Sequence, residues 1–108
     1  MFEQLVHLTQ QPSFNKRVLE KWAATAPEKA LDTLIDDYSL FVARSFLDGA
    51  LDFWTADDAL NQVMVALEFE APKIFWEVYT TFEDYEVSDN PDGEAIEKIR
   101  EMVTKQAV

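Results

Sequence analysis

Carboxylates are the most abundant reactive groups in this chain. Of its 108 residues, 21 are Asp or Glu, against 9 Lys or Arg. Two carboxylates can share acid and base work on a glycosidic bond when burial raises one of them. Two sets have suitable spacing. Asp32 and Asp36 lie four residues apart on one helix face, and Glu83, Asp84 and Glu86 cluster in a polar stretch. Nothing in the sequence desolvates either set, so solvated acidic faces are expected. His7 is the single histidine, between Val6 and Leu8. By itself it cannot complete a metal site or a nucleophile relay, and a partly buried structural role is expected. With no cysteine there is no disulfide, thiolate ligand or thiol nucleophile. Gly93 invites a test for a calcium loop starting at Ser88, but the twelfth position is then Ile99, which has no carboxylate to give. Phosphate-loop, dinucleotide, Glu-x-x-His, His-Glu-x-x-His and Gly-x-Ser-x-Gly motifs are missing. The sequence therefore implies no catalytic residue, no cofactor, no metal and no enzyme.

The elements that would position these groups read as helices. Pro12, Pro27, Pro72 and Pro91 each stand near the start of an apolar-periodic segment, and Gly49 and Gly93 are the only glycines. A first helix spans about Phe2 to Gln10, and a second, with Ser13 as N-cap, runs to about Ala24. Thr25-Ala26-Pro27-Glu28 opens the longest helix, with the ladder Leu31, Leu34, Ile35, Tyr38, Phe41, Val42 and Phe46. Gly49 ends it. A fourth helix begins at Thr55, where Thr55-x-x-Asp58 resembles a capping box. A fifth follows Pro72, with Phe75, Val78, Tyr79 and Phe82 inward and Trp76 off that ladder. The last starts near Glu94, after a polar loop. The expectation is all-α: a compact single-domain bundle of five or six helices over residues 1–108, with antiparallel neighbours.

Size and charge narrow the function. Folded compactly, a 12.5 kDa chain exposes about 6,200 Å². A net charge of −12 opposes direct nucleic-acid binding and docking on an anionic membrane. The longest apolar run, Val63 to Leu67, is too short to span a bilayer, and Met-Phe-Glu-Gln does not start a signal peptide. A cytoplasmic location is expected. The charge is uneven: residues 31–97 carry 17 acids against Arg44 and Lys73 alone. Two stretches in that region mix acids with aromatics. One, residues 48–58, holds Asp48, Asp52, Phe53, Trp54, Asp57 and Asp58; the other, residues 82–89, holds Glu83, Asp84, Tyr85, Glu86 and Asp89. Acids ringing an aromatic suit a protein interface with anchors and a steering rim. The competing reading has Phe53, Trp54 and Tyr85 sealing the core ends.

Phe46-Leu47-Asp48-Gly49-Ala50-Leu51, then an acid-capped helix, then Phe75-Trp76-Glu77-Val78-Tyr79 with an acidic aromatic tail, is similar to small helical bacterial toxin-immunity proteins. These are of the colicin-like and contact-dependent-inhibition types, and the similarity covers roughly residues 30–104. The resemblance implies a cytosolic, non-enzymatic inhibitor that covers the active site of a cognate toxin or a nearby surface. Its partner would be a basic toxin domain. Asp48, Asp52, Asp57, Asp58, Glu83, Asp84, Glu86 and Asp89 would complement that domain's cations, and Trp54 and Tyr85 would be the anchors. Three rivals stand beside it: a nucleic-acid mimic that occupies DNA- or RNA-binding proteins, a helical homodimer, and an enzyme working through clustered carboxylates, which would need a perturbed titration.

Overall fold

The computed structural model describes residues 1–106. The order is α1 (Phe2–Thr9), α2 (Lys16–Ala23), α3 (Leu31–Leu47), α4 (Phe53–Ala66), α5 (Lys73–Glu83), α6 (Pro91–Glu94) and α7 (Ile96–Gln106). Six of these have eight residues or more, α6 is one four-residue turn, and no strand occurs among the described residues. The fold is all-α, as expected. No helix among these residues is long and apolar enough to cross a membrane. The exposed area is 6282 Å², close to the expected value for this mass.

The longest helix is the spine. α3 packs most extensively on α5 and also meets α1, α4 and α7, while α4 touches α1, α2, α3 and α5. Tyr38 is fully buried on α3, and its hydroxyl donates to the Ala59 carbonyl on α4 at 3.1 Å. Burial pushes that phenol far up its titration range, so it stays a donor. Phe2 and Trp22 pack against Tyr38, and Phe2 also meets Phe41. Eight residues further along α3, Phe46 meets Phe53 of α4 and Phe82 of α5 edge-on, while Phe53 and Phe82 stack at 5.5 Å.

Helix starts depart from the sequence reading in an instructive way. Asn15, not Ser13, caps α2, accepting from the Val18 N–H at 3.0 Å. Thr25 does not open α3; its hydroxyl donates to the Trp22 carbonyl and closes α2 instead. The chain turns until Ala30, so Leu31 falls in the first turn of α3 and is 41% exposed rather than inward. Thr55 does not cap α4 either. Asp52 does, accepting from the Thr55 N–H at 2.8 Å, because Phe53 must already be helical to enter the core. Two further caps come from distant residues. Asp92 accepts from the Phe53 N–H at 2.8 Å, and Asp36 accepts from the Phe75 N–H at 2.9 Å. Asp36 is thus half-buried and structural, not part of a solvated face: Pro72 precedes α5 and cannot cap it, so α3 supplies the carboxylate.

Helix ends behave in two ways. Gly49 takes φ +80, with the Ala50 N–H bonded to the Ser45 carbonyl and the Gly49 N–H to the Phe46 carbonyl, as the glycine predicts. The end of α4 makes the same pair of bonds, from Phe69 to Met64 and from Glu68 to Val65, without a glycine. Glu68 and Phe69 instead hold φ of 56 and 63, a conformation that strains L-residues. Replacing Glu68 by Gly should therefore raise stability by about 0.5–1 kcal/mol. The exposed Lys16–Glu68 pair at 3.9 Å offsets little of that gain. Urea denaturation checks it, and a less stable Glu68→Gly variant would contradict the strain assignment.

Candidate partner-binding face

The first turn of α4 is fixed by three contacts around Phe53: its ring in the core, its N–H on Asp92, and the Asp52 cap one residue before it. With Phe53 turned in, Trp54 must turn out. It is 50% exposed, its ring edge-on to Phe53 at 5.1 Å. Asp57 and Asp58 stand one turn further along the same helix, so helical geometry sets them beside Trp54.

The same contacts bring the two acid-rich stretches together. Asp92 closes on Phe53 across 39 residues of chain, and Phe82 stacks on Phe53. The carboxylates of Glu86, Glu83 and Asp58 are close enough to Asp57 to act on its titration. The Tyr79 hydroxyl donates to Glu83 Oε1 at 3.0 Å. Asn61 Nδ2 donates to Asp57 Oδ2 at 3.1 Å. Asp58 accepts from Gln62 at 3.3 Å and from Gln10 of the α1 end at 3.2 Å.

Asp57 differs from the other acids. It is only 5% exposed, against the expectation that it faces a partner, so one member of the acid-aromatic stretches is desolvated. Burial, then the neighbouring Glu86, raises its carboxyl to about 7. A carboxyl raised to that range would suit a general acid, and here it lies nearly sealed from solvent. Tyr79 is pushed up to about 12, by burial first and then by the Glu83 carboxylate. Asp52 goes the other way, held below the usual carboxylate range by the Thr55 N–H and hydroxyl.

Asp48, Asp52, Glu83, Asp84 and Asp89 are exposed; Asp58, Tyr85 and Glu86 are half-buried, and Tyr85 packs against the core. Phe53, on the core-sealing reading, is fully buried, whereas Trp54 is not. His7 is exposed on α1, contrary to the partly buried role expected of it. Among the described residues no group of three or more His, Cys, Asp or Glu is arranged to hold a metal ion.

Where the cations lie is informative. The ion pairs among the described residues are Lys16–Glu68, Lys29–Asp37, Lys98–Glu101, Arg100–Glu97 and Lys105–Glu77. None involves any of the eight expected interface acids. Hydrogen bonds to those acids come from neutral donors, from Asn61, Gln62, Gln10 and Tyr79 and from the Thr55 N–H. The sequence reading overlooked Val65 and Phe69, which are 61% and 55% exposed, and left Trp76, 44% exposed, undecided. A signal was present for Val65: five consecutive apolar residues, Val63 to Leu67, cannot all face inward from one helix. Comparison of the chain with family models, curated proteins and solved structures finds no match.

The unfolded Asp57 carboxyl titrates near 4 and the folded one near 7. The folded state holds that proton more tightly, so Asp57 favours folding at low pH and progressively opposes it as pH rises through this interval. Asp57→Asn should therefore be more stable than the parent at about pH 8, by about 1–3 kcal/mol, and nearly equal to it at about pH 4. Self-repulsion of the net charge persists in both proteins, so the difference between their pH–stability curves isolates Asp57. Parallel curves would contradict its assignment.

Proposed function

We propose that this protein is a non-enzymatic inhibitor of a basic protein, of the toxin-immunity kind, acting in the cytoplasm. It would bind through the face built from the start of α4, the end of α5 and the turn after it. The observation that carries this reading is that the acids at the start of α4, at the end of α5 and in the turn beyond have no cationic partner among the described residues, while α4 also presents a half-exposed tryptophan. Concentration matters because at physiological salt a surface charge acts over only about 8 Å. Grouped carboxylates of one sign raise the encounter rate with a cationic surface well above that of a neutral pair. Trp54 supplies large, rigid contact area of the type that dominates interface energetics. A toxin that attacks nucleic acid needs a basic cleft, and such a cleft fits this face. No contact with nucleic acid or membrane belongs to the reading.

The gene immediately upstream is where the partner is sought, as a large toxin with a basic C-terminal domain. With that domain in hand, stopped-flow association should slow steeply as salt rises. Asp84→Lys should slow association several-fold and flatten the salt dependence, and Trp54→Ala should speed dissociation on the order of tenfold or more. A rate that is indifferent to salt would remove the electrostatic basis. Equal binding to many unrelated nucleic-acid-binding proteins would favour the mimic instead, and self-association with no other partner would favour the homodimer.

A further inference from the structure

The far end of α4 carries apolar surface that the fold leaves uncovered. Val65, in the last turn of that helix, is 61% exposed, and Phe69, just past it, is 55% exposed. Beside Val65 a groove opens between the start of α2 and the end of α4. Phe14, Gln62 and Ala66 help to line it, and Lys16 and Glu68 are its charged members. Glu68 and Phe69 hold left-handed backbone, and the Phe69 N–H is bonded to the Met64 carbonyl at 3.1 Å. Strained backbone of this kind is kept where it places a side chain. Here it fixes the chain beneath an outward aromatic, so Phe69 has less freedom to lose on contact.

Charge decides what can cover this surface. Two copies of a chain carrying −12 repel wherever their acids meet. From Phe53 to Val65, however, the axis of α4 runs about 18 Å, more than twice the roughly 8 Å over which charge acts at physiological salt. The acid-rich start of α4 is therefore screened from a contact at its far end. The groove lining has no net charge, so neither a strongly cationic nor a strongly anionic partner gains from it. Lys16 and Glu68 lie 3.9 Å apart, both exposed, and such a pair contributes little within one chain and is readily exchanged. An apolar patch with one charge of each sign is complementary to its own copy about a two-fold axis. We propose that this end of the molecule is a contact between two copies of the chain: Val65 and Phe69 of each pack against the α2–α4 groove of the other, and Lys16 of each meets Glu68 of the other. The contact leaves Trp54 and the acids of the α4–α5 face free, so it stands whether or not that face binds a basic partner.

Sedimentation equilibrium of the full chain from about 10 μM to about 1 mM tests it. The mass should rise from 12.5 kDa and level off at twice that value. Added salt should strengthen the association, because it screens the net charge, whereas it weakens the binding proposed for the acidic face. Asn tolerates left-handed backbone and Gln is a good helix former, so Phe69→Asn and Val65→Gln should keep the circular dichroism of the parent while weakening association on the order of tenfold. Lys16→Glu and Glu68→Lys should each self-associate more weakly than the parent, and an equimolar mixture of the two should pair more tightly than either alone. A mass of 12.5 kDa at every concentration, growth beyond the dimer, weakening by salt, or association indifferent to these substitutions would each overturn the proposal.

Discussion

The burial of Phe53 organises the rest of this molecule. Its ring sits between Phe46 and Phe82, tying α4 to the end of α3 and the end of α5. Because the ring lies at the first residue of α4, that helix must start there and nowhere later. Its first N–H then needs an acceptor, which Asp92 brings from the far side of the acidic turn. Three consequences follow from one aromatic contact. Trp54 is turned outward, Asp57 is turned inward, and the acid-rich start of α4 is tied to a residue 39 positions later, at the far end of the acidic turn.

Neighbouring acids cost stability, and the fold manages that cost unevenly. Some carboxylates are put to structural use: Asp36, Asp52 and Asp92 cap helix N-termini, where a negative charge is favoured. Others pair with the cations of α2, α7 and the α2–α3 turn. Asp52 apart, the acids on the α4–α5 face receive none of this relief beyond amide and hydroxyl donors from Gln10, Asn61, Gln62 and Tyr79. A cationic partner would supply what the chain withholds.

Much of this was legible in the sequence. Apolar spacing from Leu34 to Phe46 and from Phe75 to Phe82 placed the inner faces of α3 and α5, and Gly49 marked the end of α3 because its backbone needs a left-handed residue there. Helix starts were less legible, since Ser13, Thr25 and Thr55 are all competent caps and tertiary packing chose other residues. The membership of the acidic stretches could be read, but not their meeting, which depends on Asp92 reaching Phe53. Nor could the inward turn of Asp57 be read: Asp57 and Asp58 are equivalent in composition and differ only in how deeply the packing of α4 buries them. The left-handed Glu68 and Phe69 carried no signal, because nothing in their residue types favours that backbone.

The claim beneath all of this is that negative potential is concentrated on one face. Paired cationic and anionic nitroxide cosolutes measure it directly, since the ratio of their relaxation effects on each amide proton reports the local potential. The account predicts the largest cation preference at Trp54, Asp58, Asp84 and Asp89, and a much smaller one along α2 and α7. An even preference over the whole surface, or a maximum around Asp32 and Asp37 instead, would contradict it.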